Sequence, residues 1–164
     1  LHRAKVFLGI QSPTILERLK KGGIHYNVKG NNPFQVIENL ISLVNFKEDI
    51  DINLVKTSLI ERESMMYTSI GNGIAIPHPK NPVVKREEDE IIAIAMLETP
   101  INYGTSDKIP VHTAIFVIAS NSINHFDTIS QLGKILKTKD FINLLKNRKS
   151  EDEIFEFIEK NQYN

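Results

Sequence analysis

Few residue types in this chain can do chemistry. It has 164 residues and no cysteine, which excludes disulfides, thiolate metal sites and cysteine nucleophiles together. Its histidines are His2, His25, His78, His112 and His125. His2 belongs to the terminus, His25 alternates with Ile24 and Tyr26 along a strand, and His112 opens a buried strand, where a hydrogen bond satisfies its ring. His78 has different surroundings, in Ile76-Pro77-His78-Pro79. Pro77 has φ fixed near about −65°, and Pro79 drives His78 out of the helical region toward an extended conformation. The ring therefore sits on a stiffened loop leaving an apolar strand. Two readings stand here: a loop histidine that caps a neighbouring carbonyl, and a ring available to a partner.

Other chemistries find little support. There is no Gly-x-Ser-x-Gly elbow, since Ser69 precedes Ile70-Gly71 without a glycine before it. Gly71-Asn72-Gly73 lacks the downstream Gly-Lys-Ser/Thr of a phosphate-binding loop, and no His-Glu-x-x-His pair occurs. His78, His112 and His125 form a metal site only if the fold brings them together, and no carboxylate has a telling spacing to them.

The elements that must position His78 are legible from periodicity. Ser12-Pro13 reads as N-cap and first turn of a helix with Ile15, Leu16 and Leu19 on one face, ended by Gly22-Gly23. Ile24 to Val28 reads as a strand. Asn32-Pro33 and Asp51 open two more helices, the first with Val36, Ile37, Leu40, Ile41 and Val44 at helical spacing, the second running to about Arg62 or Ser64. From Ser64 to Pro79 there is no Asp, Glu, Lys or Arg. Within it, Gly71-Asn72-Gly73 separates Tyr67–Ile70 from Ile74–Ile76, a hairpin pattern. Ile91 to Leu97 and Val111 to Ala119 are continuous apolar runs, strands buried on both faces. Ser122 or Asn124 caps a helix with Phe126, Ile129, Leu132 and Leu136 at helical spacing. A short helix around Phe141 to Leu145 follows, and Ser150 and Glu153 form a capping box for a last one. The expected fold class is α/β, a mixed central sheet with helices on both faces. Residues 1–21 read as an N-terminal linker or helix, the tail of an upstream segment, and 22–164 as the domain. The first residue is Leu rather than Met, so the true start is expected upstream.

Composition bounds the partners. Twenty basic and twenty acidic residues give a formal net charge of zero, unlike the basic surplus of a duplex-DNA binder. The longest wholly apolar run, Ile91 to Leu97, is far short of the ~20 residues a membrane helix needs. No membrane insertion is expected, no signal peptide is visible, and the absence of cysteine suits the cytoplasm.

The run from Arg62 through Gly71-Asn72-Gly73-Ile74-Ala75-Ile76-Pro77 to His78 resembles the active-site signature of phosphotransferase-system (PTS) enzyme IIA proteins of the fructose/mannitol/nitrogen-regulatory type, EIIA type 2. There a phosphohistidine follows Gly-(Asn/Asp)-Gly-(Ile/Val)-Ala-(Ile/Val)-Pro, with an arginine sixteen residues earlier, the spacing of Arg62 and His78. Pro100-Ile101-Asn102-Tyr103-Gly104, the strand from Val111 and the helix from His125 to Leu132 extend the resemblance over roughly residues 22 to 147. Two positions depart from the pattern: Asp127 replaces a second histidine, and Pro79 replaces the usual glycine. The proline version resembles a branch in which the IIA domain follows a DNA-binding or linker segment.

The resemblance implies the mixed α/β sandwich of enzyme IIA and a phosphoryl carrier without cofactor or metal. His78 would accept phosphate from an HPr-like phosphocarrier protein and pass it to a IIB component, or signal to regulatory protein targets by its phosphorylation state. His125 and Arg62 would stabilise the phosphoryl group, with Thr68, Ser69, Gly71 and Gly73 supporting; Thr68 or Ser69 would add a hydroxyl bond or orient His78. The alternative for Arg62 is a helix C-terminal cap. The uncharged stretch Ser64 to Pro79 would be an apolar apron for docking a small carrier protein, or a buried strand pair, or both. The rival functions are a non-catalytic sensor module of a transcription regulator and a metal or small-molecule site on His78, His112 and His125.

Overall fold

A computed structural model describes residues 13–161. Five strands form one mixed sheet in the order β1-β4-β5-β3-β2: β1 (Ile24–Val28), β2 (Ser69–Gly71), β3 (Ile74–Ala75), β4 (Ile91–Ile101) and β5 (Val111–Ile118). β1 runs parallel to β4 and β3 parallel to β5, whereas β4–β5 and β2–β3 are antiparallel. The helices are α1 (Ile15–Gly22), α2 (Pro33–Leu43), α3 (Ile52–Met65), α4 (Ser122–Leu136), α5 (Lys139–Lys146) and α6 (Glu151–Asn161).

The period of two along β4 divides the core into two layers. Ile91, Ala93, Ala95 and Leu97 pack with the apolar faces of α2 and α3. Ile92, Ile94 and Met96 pack with α1, α4, α5 and α6. The mixed sheet covered on both faces is the expected architecture.

Three boundaries differ from the sequence reading. Ser12 lies outside the described residues; α1 is capped by Thr14, whose side chain accepts from Glu17 N while Glu17 reaches back to the Thr14 amide. Ile15, Leu16 and Leu19 are buried in the second layer, so α1 is packed into the domain body instead of standing outside it at residues 1–21. Its apolar stripe needs the sheet to cover it. The cap of α4 is Asn121, whose Oδ1 accepts from the Asn124 amide at 2.8 Å. Phe126, assigned by spacing to the apolar face of α4, is 72% exposed, and the buried positions in the helix's first two turns are Asn124 and Thr128.

The hairpin β2–β3 depends on glycine at its turn. Gly71, Asn72 and Gly73 all have positive φ, and a Cβ at Gly73 would lie 2.4 Å from His112 Cδ2. Gly73→Ala therefore meets both backbone strain and a clash and should lower stability by about 1–3 kcal/mol. Gly133, inside α4, has nothing within 4 Å of a Cβ, so Gly133→Ala should raise stability by about 0.5–1 kcal/mol. Denaturant unfolding of the two variants should show midpoints moved in opposite directions from the parent.

Candidate functional site

His78 is placed by a backbone clamped at three points. The Ile76 amide donates to the Thr68 carbonyl at 3.0 Å, and the Val117 amide donates to the Pro77 carbonyl at 3.0 Å. Beyond the histidine, the Lys80 amide donates to Ser58 Oγ on α3 at 3.1 Å. The prolines on either side make the intervening loop stiff.

Within that loop His78 Nδ1 lies 2.8 Å from the Ile76 carbonyl oxygen. A carbonyl only accepts, so Nδ1 carries the proton and the neutral ring keeps its lone pair on Nε2. Burial holds the His78 pKa below that of a free histidine, and the Arg62 charge adds to this, while the Ile76 bond works the other way. The lowered pKa favours the neutral ring, whose lone pair on Nε2 could act as a nucleophile.

His125 enters from the first turn of α4, its ring centroid 4.8 Å from that of His78 and tilted by 44°. Its pKa is lowered too, by burial first and then by His78 and Arg62. Arg62 comes from the last turn of α3, where Nη1 donates to the Met66 carbonyl at 2.7 Å. Arg62 thus bonds a carbonyl at the helix C-terminus and also lines the cleft with both histidines. Arg62, His78, His125, Asn121, Ser122 and Phe126 line a cleft of about 210 Å³. Asn121 and Ser122 mark the N-terminus of α4, whose dipole favours negative charge there.

The supporting residues act at one remove. Thr68 does not reach His78 with its hydroxyl: Oγ1 donates to Glu63 at 2.9 Å, and its amide donates to the same carboxylate at 2.8 Å. Its carbonyl, by holding Ile76, bears on the histidine through the backbone. Ser69 pairs with Ala75 across the hairpin, and it is the Ile76 carbonyl that orients His78. Gly73 carries its carbonyl to the His112 and Thr113 amides, tying the turn to β5.

Glu63 escaped the sequence reading. It is buried, and burial raises its pKa while the Thr68 bonds and Arg62 oppose the rise. A carboxylate at the very edge of the uncharged stretch was the available signal. Its task is to hold the chain as it turns from α3 into β2.

His112 stands apart from His78 and His125. Its ring packs on Gly73 at the start of β5, with Nδ1 2.7 Å from Thr113 Oγ1, and it lines a different cleft of about 910 Å³ with Ile70 and Lys146. Nε2 makes no hydrogen bond of good geometry; the Asn72 backbone pulls the His112 pKa up, but burial and Lys146 outweigh it. The three-histidine convergence required by a metal site does not occur, and among the described residues no group of three His, Cys, Asp or Glu is placed to hold an ion.

Several large apolar side chains on α3, the hairpin and α4 face solvent. Met65, Met66, Ile70, Ile123 and Phe126 are exposed, whereas Ile74, Ala75 and Ile76 are buried. The stretch from Ser64 to Pro79 is both an exposed apron and a buried strand. No helix among the described residues is long and apolar enough to cross a membrane.

Comparison with known proteins bears on the family and the fold. The model of the family "Phosphoenolpyruvate-dependent sugar phosphotransferase system, EIIA 2" matches residues 17–161. A nitrogen regulatory protein of Klebsiella oxytoca is 37% identical over 110 residues, 64% of this chain and 65% of that protein. The PTS system fructose-specific EIIABC component of Bacillus subtilis is 29% identical over 147 residues, 88% of this chain but only 23% of that protein. The chain thus spans about a quarter of one relative and somewhat under two thirds of the other. Among solved structures, nitrogen regulatory protein IIA-Ntr from Neisseria meningitidis superposes with a TM-score of 0.71 at 21% identity, covering 84% of this chain and 93% of that one. Escherichia coli enzyme IIAMTL, in its complex with phosphorylated enzyme IIBMTL, gives 0.67 at 20% identity, covering 85% and 95%. With the family model taking in nearly the whole described chain, the protein belongs to the EIIA 2 family of the phosphoenolpyruvate-dependent sugar phosphotransferase system.

Proposed function

We propose that this chain is a phosphoryl carrier that accepts the group on Nε2 of His78 from an HPr-like phosphocarrier protein. It passes the group to a IIB component, or its phosphorylation state is read by regulatory protein targets. The observation that carries this reading is the bond from Nδ1 to the Ile76 carbonyl, which leaves Nε2 as the nucleophilic atom beside His125 and Arg62. The Nε2 lone pair forms the new P–N bond as the donor's P–N bond breaks. The donor ring, protonated on its other nitrogen, leaves with the electron pair as neutral imidazole, and His78, still protonated on Nδ1, becomes the N-phosphorylated imidazolium. No general base is required. Arg62, His125 and the N-terminus of α4 supply donors and positive charge for the phosphoryl oxygens. The names of relatives support both outlets: a nitrogen regulatory protein on one side and an EIIA bound to a phosphorylated IIB on the other. We place the carrier in the cytoplasm, where its phosphohistidine donors would be met.

The direct test is phosphotransfer from phosphoenolpyruvate through enzyme I and HPr, with mapping of acid-labile phosphate. His78→Ala should abolish labelling with little change in melting temperature, and full labelling of that variant would overturn the reading. His125→Ala should still accept phosphate on His78 but pass it on slowly. Arg62→Ala should slow transfer by about 2–3 kcal/mol, and Arg62→Lys less, since the charge survives without the planar fork. A wild-type rate in Arg62→Ala, with stability lowered, would leave Arg62 as a helix cap alone.

The pKa directions give two further expectations. Both site histidines titrate below the ordinary value in the folded state, so the unfolded chain binds protons first as pH falls. Their contribution is full above about pH 6.5 and is lost as pH drops through that value toward the folded pKa. Thermal unfolding between pH 8 and pH 5 should show this loss, and His78→Ala should blunt it. Phosphorylation places negative oxygens beside His125, so its pKa should rise well above its value in the free protein. Following the His125 ring by ¹⁵N NMR in the two forms checks this; an unmoved titration would remove His125 from the phosphoryl shell.

A further inference from the structure

Glu90 immediately precedes β4 and is fully buried (0% exposed). It ties together three parts of the chain. Oε1 accepts from Nη2 of Arg18 on α1 at 2.8 Å, and Arg18 is itself only 2% exposed. Oε2 accepts from the Ser120 amide at 2.7 Å and from Ser120 Oγ at 2.9 Å. Asn124 Nδ2 donates to Oε2 at 3.1 Å and reaches Oε1 at 3.4 Å, and Glu87 Oε1 lies 3.1 Å from the same nitrogen.

The groups that Glu90 holds frame the site. Ser120 adjoins Asn121, the cap of α4 and a wall of the cleft, and Asn124 adjoins His125. Glu90 thus grips both sides of the turn by which the chain enters the helix that carries His125. A buried ion pair is a weak source of net stability, since removal from water offsets most of the attraction, and an apolar pair of similar volume does as well. What a multiply bonded carboxylate supplies that an apolar pair cannot is direction: several donors are fixed in angle and distance at once. Asn124 and Thr128 occupy the buried face of this helix where apolar residues would pack more favourably, and for Asn124 the partner is Glu90.

We propose that Glu90 is a positioning residue for phosphoryl transfer, fixing the entry of α4 so that the His125 ring stands against His78, with Arg18 anchoring the carboxylate from α1. This rests on the reading of His78 as phosphoryl acceptor. A merely structural ion pair would alter stability alone.

The test is a double-mutant cycle between Glu90→Gln and His125→Ala, with onward transfer from phosphorylated His78 and melting temperature measured on the same samples. Glu90→Gln keeps the shape but sets an amide against donors. It should still label on His78 and should slow onward transfer by about tenfold to a hundredfold, as misplacement of a positioning group does. In the His125→Ala background it should slow transfer no further while lowering melting temperature as much as before. Equal slowing in both backgrounds, or none in either, would overturn the proposal. The paired variant Arg18→Met with Glu90→Met serves where the glutamine variant folds poorly: it should regain stability without regaining the transfer rate, and a wild-type rate in it would equally overturn the proposal. Parent protein that takes no label from HPr would sink the carrier reading itself, and the proposal with it. Labelled parent with an uncoupled cycle would sink the positioning role alone.

Discussion

The site depends on one hydrogen bond, from His78 Nδ1 to the carbonyl two residues earlier. A neutral imidazole has one lone pair, and where it points is decided by which nitrogen is engaged as donor. The bond to Ile76 turns an ambivalent ring into one with a fixed nucleophilic atom. It works only if the carbonyl is itself immobile, and the surrounding architecture secures that. Ile76 is fastened through its amide to Thr68, Pro77 through its carbonyl to Val117 on β5, and Lys80 through its amide to Ser58 on α3. Thr68 is in turn held by the buried carboxylate of Glu63. The segment before the hairpin, the central strand and the helix thus all fasten the short segment 76–80.

The electrostatics make a compatible demand. A nucleophile must be unprotonated before transfer, and its product must be stabilised after it. Positive charge near the ring serves both ends. Burial first, and the Arg62 charge after it, oppose protonation of His78 and His125 in the free protein, and in the proposed carrier the same guanidinium would attract the phosphoryl oxygens. His125 follows the same logic with the opposite response. Beside a neutral ring it has little reason to hold a second proton, whereas the phosphoryl group of the proposed carrier would draw one to it. In the proposed carrier the two states would then differ in charge by more than the phosphate, which would give a partner protein a larger difference to read.

The fold was largely legible because its signals are local. Alternation and apolar runs located the strands, and cap residues such as Asn32 and Asp51 act on amides three positions away. The placing of Arg62, His78 and His125 in one cleft was anticipated by a motif resemblance; periodicity alone left His78 as a loop histidine with two readings, and the structure realises the carbonyl contact of one while leaving Nε2 for the other. Glu63 and Glu90 were not legible. Each is defined by what it accepts, and the donors to Glu90 come from residues 30 and 72 positions away in sequence. Thr68 was expected to bond or orient the histidine, but its hydroxyl donates to Glu63 instead.

Phe126 shows why such misreadings collect at the site. By spacing it belongs with Ile129, Leu132 and Leu136, and a helix built for packing alone would bury all four. In the structure Leu132, Ile135 and Leu136 are buried in the last turns of α4, whereas its first turns bury Asn124 and Thr128 and present Ile123 and Phe126 to solvent. Burying Phe126 instead would swing His125, its neighbour in sequence, to a different side of the helix and away from His78. The local preference for burial is thus overridden where the helix meets the cleft, and the buried polar contact of Asn124 with Glu90 offsets part of the loss. The same rotation sets the exposed Phe126 ring in the wall of the cleft, with Ile123, also exposed, one turn away on the helix, an apolar corner that the proposed carrier would offer to a partner.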